Sequence, residues 1–445
     1  MFPDLAQLRR ALAARIGRLA ESVPVRLAVA GFLVCLQLAA FGRAAHTRLG
    51  VAFDTYPDEA PYFSDPDAPA FATPRQPHRW SRLAVSRFDA QHYIATAERG
   101  LTACPSDARA PDDAYLQCGL GWLPAWGMIG GGVSTVTTLA SDQALLLLAI
   151  LAALALNLLW TSETIVKRFG RGAAWGALIG FNAFPAAFYL VTPYSEGATL
   201  ALALAGFIAL VNERWLLAAA LVGASTALQP SSMAFALALA AALGLAAYRR
   251  REAQEAHWWR PLLGLPLCVW GQLVTLIALQ IAVGDWSAYF RARHAFGATY
   301  HWHRLVEVSY YMKGLSGQDM DGAMLLATFG ILALTARDVL QRLSRGASGL
   351  VPGAMFVVVA SGVAIVLAVV APPGYWGQTR FLLSCPLLFL GLGTIARKYP
   401  VLFVLWCILS LAFYWHVDLC GYITQGNHKA CPALGRIELA MPIDS

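Results

Sequence analysis

Apolar runs of about 17–22 residues recur along the chain and alternate with short polar stretches. A run of this length crosses the hydrocarbon core of a bilayer as one α-helix. The pattern predicts about eleven transmembrane helices, and therefore an all-α polytopic membrane protein with a single transmembrane domain, 1–445. The predicted spans are 27–42, 143–160, 173–191, 197–211, 215–228, 231–247, 261–283, 322–336, 350–371, 380–395 and 400–417.

The run 120–140 is apolar enough to span but contains Pro124 and three consecutive glycines, 130–132. If it does not cross, the basic N-terminal segment and four later basic loops all lie on one side of the membrane. Those loops are 166–171, 248–251, 337–345 and 397–398. Because cytoplasmic loops carry the excess of Lys and Arg, we expect 120–140 to dip in or lie at the interface. The N-terminus is then cytoplasmic and the C-terminus outside.

This topology places three larger segments outside the membrane. They are a first extracytoplasmic loop with interfacial helices, 44–142, a second loop, 284–321, and a C-terminal tail, 418–445. Polar residues that could take part in catalysis or binding gather in these outer segments, whereas the predicted spans are nearly uncharged.

Composition supports a membrane protein. The chain is 58% hydrophobic and 13% charged, with a mean hydropathy of +0.55, whereas soluble domains are about 25% charged. The net charge of +7 comes from short loops and reflects topology, so no nucleic-acid partner is expected. The bias to Ala, Leu and Arg is typical of a GC-rich bacterial genome, and no cleavable signal peptide is evident. We therefore expect a bacterial plasma membrane protein whose partner is the lipid bilayer.

The eight cysteines divide by this topology. Cys35, Cys268, Cys385 and Cys407 fall within predicted spans and are interpreted as small apolar residues. Two pairs share outer segments: Cys104 with Cys118, and Cys420 with Cys431. In an oxidising compartment each pair is a candidate disulfide, with free thiols as the alternative.

The stretch 86–100, "SRFDAQHYIATAERG", places Asp89, His92, Tyr93 and Thr96 on one face if it is helical. One interpretation is structural: an acid in the first turn stabilises the helix, with Ser86 as its cap. The other is catalytic: Asp89 is a general base facing outward and His92 is its hydrogen-bonding neighbour. The two interpretations are compatible.

Two further stretches carry candidate substrate-binding residues. In 182–198, Tyr194 and Glu196 follow Pro193 at a membrane edge. They belong to a turn with Ser195 as helix cap, or they line a polar cavity.

In 372–383, Arg380 opens a span from outside, either as an interface anchor beside aromatic residues or as a clamp on phosphate. Arg293 and Arg304 make the second loop basic and suited to a phosphate. His301 and His303 lack an obvious third ligand, so neither a metal nor another cofactor is expected. The chain has no phosphate-binding glycine loop of the nucleotide-binding kinds.

Several of these stretches together resemble the PIG-V-type family, the second GPI mannosyltransferase. The run Phe88-Asp89-Ala90-Gln91-His92-Tyr93, with Ala97, Glu98 and Gly100, is similar to that family's "[WF]-D-x-x-H-[YF]-x-x-x-A-E-x-G" element. The stretches 119–131, 181–204, 224–237 and 379–390 resemble its other conserved runs in order. Phe88 stands for the usual Trp, and Gln229-Pro230 stands where the family has Arg-Ser.

The resemblance implies a GT-C glycosyltransferase fold and a polyprenyl-phosphate sugar donor. It also implies an outer-loop acid that acts on the acceptor, a role that falls on Asp89. A base for the acceptor hydroxyl is worth about 10²–10⁴-fold, and a cation such as Arg380 would stabilise charge on the phosphate. We expect an inverting hexosyl transfer, of mannose in particular, to a lipid or glycan acceptor outside the cytoplasm. The alternatives are a transporter or lipid flippase, and a non-catalytic scaffold.

Overall fold

The computed structural model describes residues 22–55, 89–101, 120–295, 301–315, 320–345, 351–370 and 377–413. Every regular element in these ranges is a helix, which confirms the prediction of an all-α protein. The first helices are α1 Val23–Thr55, α2 Asp89–Arg99, α3 Ala125–Thr137, α4 Ser141–Trp160, α5 Glu163–Phe169, α6 Arg171–Asn182, α7 Glu196–Val211, α8 Trp215–Ser225 and α9 Met233–Glu252. The later ones are α10 Trp270–Val283, α11 Ala288–Ala295, α12 Val308–Leu315, α13 Met320–Leu343, α14 Pro352–Val370, α15 Gly377–Leu382, α16 Pro386–Lys398 and α17 Pro400–Phe413. Short 3-10 helices lie at Pro185–Val191, Pro230–Ser232, Arg260–Val269 and Trp302–Leu305.

In the described part of the chain, six helical stretches are long and apolar enough to cross a membrane. They are Val23–Gly42, Ser141–Phe169, Pro230–Glu252, Arg260–Val283, Ala323–Leu343 and Pro352–Val370. A seventh results if the bent pair Arg171–Asn182 and Pro185–Val191 is one span. The chain thus has the helices of an all-α membrane protein, but the predicted eleven spans are not confirmed.

Several predicted spans fold into helices that are too short to cross alone. α7 has 16 residues, α8 has 11 and α16 has 13. At 1.5 Å per residue, a 13-residue helix covers about 20 Å of a hydrocarbon core about 30 Å thick. α3, within the doubtful run 120–140, also has 13 residues, and whether that run crosses remains a prediction.

Glycines set the closest helix contacts. A Cβ on Gly393 of α16 would lie 2.1 Å from the Ala173 oxygen of α6, and one on Gly176 would lie 2.4 Å from Ala396 Cβ. α2 lies equally close to α3: a Cβ on Gly131 would come within 2.6 Å of the Ala97 oxygen. The glycine-rich part of 120–140 therefore serves to let α3 support the helix that begins at Asp89.

The bend after α6 directs the next segment of chain into the bundle. α6 and the 3-10 helix Pro185–Val191 meet at 84°, and Pro185 is the first residue after the break. Buried amides hold the α6 end: Asn182 Nδ2 donates to Asn157 Oδ1 at 2.9 Å, and Gln37 Nε2 donates to Asn182 Oδ1 at 3.1 Å. These bonds tie α1, α4 and α6 together immediately before the segment that carries Tyr194 and Glu196.

Candidate functional site

Arg380 of α15 joins two carboxylates that are remote in sequence. Its Nη1 lies 2.5 Å from Asp89 Oδ2 at the start of α2, and its Nε donates to Glu196 Oε1 at the start of α7. The Glu196 side chain is 2% exposed, that of Arg380 19% and that of Asp89 25%. We call these three residues the ion cluster. The structure thus brings together three residues that the sequence analysis singled out separately.

Two tyrosines flank the guanidinium of the ion cluster. The Arg380 carbon Cζ lies 4.9 Å from the ring centroid of Tyr189 and 4.9 Å from that of Tyr194. Both distances fall within the range of a cation–π interaction. With both rings buried, the guanidinium is held by aromatic faces as well as by carboxylates. Arg380 is therefore held by four side chains of the protein.

Gln229 extends the cluster on the side of Glu196. Its Nε2 donates to Glu196 Oε1 at 3.1 Å, the same oxygen that accepts from Arg380. Glu196 Oε2 is buried and has no hydrogen-bond partner among the described residues. The cluster thus has two acids for one strong cation, and one acidic oxygen still has acceptor capacity.

The charge environment of Asp89 favours its ionised form. Burial raises the pKa of Asp89, but the charge and hydrogen bond of Arg380 outweigh burial and leave that pKa below its ordinary value. The charge of Arg293 acts in the same direction. Asp89 is consequently a carboxylate at neutral pH, and while Arg380 holds it, it is a weaker base than a free carboxylate.

His92 lies one turn from Asp89 and is stacked on Trp122, with ring centroids 3.3 Å apart. Burial lowers the pKa of His92 to about 4, and the nearby Asp89 charge offsets only part of this effect. The imidazole is therefore neutral at neutral pH. A neutral imidazole is compatible with the role predicted for His92, that of a hydrogen-bonding neighbour of Asp89.

The third predicted polar residue of α2, Tyr93, faces the segment before α7. Its hydroxyl and Ser195 Oγ are 3.2 Å apart, and burial raises the pKa of Tyr93 above its usual range. Ser195 is the N-cap residue of α7, as the turn interpretation predicts, but its side chain makes no cap bond with the helix. Trp126 Nε1 donates to the Pro193 oxygen at 3.1 Å. Both contacts fasten α2 and α3 to the turn that presents Glu196.

The remaining predicted residues lie at different distances from this centre. Arg293 is in α11 and its charge reaches Asp89, whereas Arg304 is in the 3-10 helix Trp302–Leu305, outside the ion cluster. Thr96 donates to the His92 oxygen of its own helix. No group of three potential metal ligands occurs among the residues the structure describes. Cys104, Cys118, Cys420 and Cys431 lie outside those residues, so their pairing stays a prediction.

Sequence reasoning missed Tyr189 and Gln229 as members of the site. Tyr189 is five residues before Tyr194, and residues at this spacing do not share a face of an α-helix. The 3-10 helix Pro185–Val191 and the turn after it bring both rings to Arg380. Gln229 stood out only as a departure from the resembled family. Its position before Pro230, in a turn between two apolar helices, was the available signal.

Comparison with known proteins yields no relative. No family model, curated protein or solved structure matches the chain. The site must therefore be interpreted from its own geometry.

Proposed function

We propose that the chain is a membrane glycosyltransferase of the GT-C type, which transfers a sugar, mannose in particular, from a polyprenyl-phosphate donor to a lipid or glycan acceptor. The reaction would occur on the extracytoplasmic side of a bacterial plasma membrane. The resemblance to the PIG-V-type family suggests the donor class, and the ion cluster is the observation that carries the proposal.

Charged groups inside an apolar bundle are costly and are typically retained for function. Here three charged residues come from α2, α7 and α15, and the segments between them are mostly apolar. A bundle held only by packing has no need for this arrangement, since apolar residues of similar volume stabilise as well or better. The cluster therefore supports a site for a polar substrate rather than a structural ion pair.

Arg380 has the chemistry to hold the donor phosphate. A guanidinium binds two phosphate oxygens with parallel N–H bonds. Of its two carboxylate partners, Asp89 is the more exposed, at 25% against 2% for Glu196. An arriving phosphate would displace Asp89 and leave Arg380 anchored by Glu196 and the two tyrosines.

This exchange would also activate Asp89. Because Arg380 lowers the pKa of Asp89, loss of that contact raises the pKa and makes the carboxylate a better base. Asp89 would then accept the acceptor hydroxyl proton as the oxygen attacks the anomeric carbon. The bond from that carbon to the phosphate oxygen breaks, and polyprenyl phosphate leaves with the bonding electron pair. One displacement inverts the anomeric centre.

A small apolar pocket inside the bundle is lined by Leu383, which follows Arg380 by three residues, together with Leu204, Phe207 and Phe389 among others. A lipid-linked donor needs an apolar surface for its chain, and we propose that this lining forms part of it.

One observation favours a second candidate function, a transporter or lipid flippase. The 84° bend between α6 and Pro185–Val191 interrupts a hydrophobic segment, as do the broken helices of transporters. A transporter would move a substrate across vesicles without forming a new glycosidic bond. The same purified protein can be assayed for both.

The direct test is incubation of purified protein with radiolabelled polyprenyl-phosphate mannose and a membrane lipid extract. We expect label in a new lipid or glycan product and a raised KM for donor in Arg380→Ala, with Arg260→Ala as an exposed control. Arg380→Lys should restore donor use poorly, since an ammonium lacks the fork. Movement of label across the membrane without a product would favour the transporter.

A further inference from the structure

Four basic side chains meet at the end of the bundle remote from the ion cluster. Arg342 and Arg345 are at the end of α13, and Arg397 and Lys398 are at the end of α16. The charges of Arg345 and Arg397 both act on Arg342, so the four form one electrostatic group. We call it the basic end cluster. α16 begins six residues after Arg380 and runs away from it, which puts the two clusters at opposite ends of that helix.

Close helix contacts fix the position of the basic end cluster. A Cβ on Gly391 of α16 would lie 2.5 Å from Thr335 Oγ1 of α13, so the two helices approach closely. Arg342 Nη1 donates to the backbone oxygen of Phe169, the last residue of α5, at 2.7 Å. The bond satisfies a carbonyl group at the C-terminal end of that helix. The Arg342 side chain is therefore held by a bond within the protein, whereas the side chains of Arg345 and Arg397 are exposed.

In the part of the chain that the structure describes, acidic residues do not balance the basic end cluster. Asp338 accepts from Lys398 and also interacts with Arg342 and Arg397. One carboxylate thus interacts with three of the four cations. Topology explains why basic residues lie at one membrane face, but it does not require them to converge from two helices onto one spot. The excess positive charge there fits an anionic group.

An exposed apolar surface begins immediately beyond the basic end cluster. Tyr399 follows Lys398 and is 49% exposed, and α17 then presents Val401, Leu402 and Leu405, which are 71%, 51% and 49% exposed. An aromatic residue between cations and an apolar face is typical of the membrane interface. The order of cations, tyrosine and apolar face corresponds to the order of headgroup, interface and acyl chains in a phospholipid.

We propose that the basic end cluster is a binding site for an anionic phospholipid. The lipid phosphodiester would lie at Arg345 and Arg397, and its acyl chains would follow the exposed face of α17. Basic groups at helix ends attract anionic headgroups by roughly 1 kcal/mol for each residue. This site does not depend on the proposed transferase activity.

The test is native mass spectrometry of the full chain in detergent, titrated with phosphatidylglycerol or with phosphatidylcholine carrying the same acyl chains. We expect phosphatidylglycerol to bind at least about tenfold more tightly, and Arg345→Gln/Arg397→Gln to weaken it by roughly 30-fold. The matched control, Arg251→Gln/Arg260→Gln, removes two exposed arginines at the end of α9 and the start of the 3-10 helix Arg260–Val269 and should change binding by less than about threefold.

Three results would overturn the proposal. They are equal affinity for both lipids, an equal loss in the control variant, and displacement of phosphatidylglycerol by inorganic phosphate at equal concentration. The last result would mean that the arginines recognise phosphate alone. Melting curves without added lipid check that each variant is folded. Within the described residues, neither Arg345 nor Arg397 makes a bond like that of Arg342 to Phe169.

Discussion

Replacing Arg380 by Met should destabilise the protein strongly, because the change removes the cation that two buried or half-buried carboxylates share. Removal of one partner from a buried ion pair costs about 3–5 kcal/mol, and loss of the contacts with Tyr189 and Tyr194 adds about 0.5–1 kcal/mol. Met keeps an aliphatic chain in the same space, so little cavity is created. We expect the free energy of unfolding to fall by about 4 kcal/mol.

A second substitution identifies the origin of that loss. Adding Glu196→Gln to the Arg380→Met background removes the more deeply buried carboxylate and should recover about 2 kcal/mol or more. Asp89→Asn in the same background should recover less, because the Asp89 side chain is 25% exposed and that of Glu196 is 2% exposed. Water already stabilises part of the Asp89 charge.

The assay is reversible denaturation in detergent micelles, followed by tryptophan fluorescence and analysed as a double-mutant cycle. Glu213→Gln is the matched control, since this acid is 67% exposed at the other end of α7. A loss below about 1 kcal/mol for Arg380→Met would refute the claim that Arg380 compensates buried charge. Equal stability of Arg380→Met with and without Glu196→Gln would refute it as well.

Three further predictions concern pH, packing and topology. The pKa of His92 is lowered to about 4, from about 6.5 in an unfolded chain, so the unfolded state binds more protons between these pH values. The free energy of unfolding should therefore fall as the pH drops through this window. Melting curves of His92→Phe should lack this pH dependence. Gly393→Ala should lower the melting temperature clearly because its Cβ meets the Ala173 oxygen, whereas Gly244→Ala, with nothing within 4 Å, should not. Finally, a thiol at Arg168→Cys should be labelled from the cytoplasm, and labelling from outside would contradict the non-crossing assignment of 120–140.

The sequence was sufficient to predict the helical class and the charged members of the site. Long apolar runs identify membrane helices without knowledge of their partners, because backbone groups in lipid must bond within the helix. Asp89, Glu196 and Arg380 were recognisable because charged residues next to apolar runs are unusual. The sequence predicted a common outer side for these three residues, and the structure brings them into contact.

The number of spans and the details of the site were not predictable in the same way. Apolarity does not show where Pro185 and Pro193 interrupt a run, and therefore cannot separate a full span from the 84° bend. The approach of Tyr189 and Gln229 depends on contacts between segments distant in sequence. Ser195 was correctly predicted as the N-cap residue, but its side chain makes no cap bond. Its hydroxyl instead lies beside the Tyr93 hydroxyl, a tertiary contact that local sequence does not encode.

The central claim is that Asp89 is the base of a sugar transfer, and the most direct measurement is the transfer rate of purified Asp89→Asn with a radiolabelled polyprenyl-phosphate sugar. The amide keeps the size of the carboxylate and much of its bonding to Arg380, but it cannot take the proton. We predict a folded protein, with the melting behaviour of the Glu213→Gln control, whose transfer rate is lower by about 10²-fold or more. A folded Asp89→Asn variant that transfers sugar at a near-normal rate would contradict the account and make Glu196 the next candidate for the base.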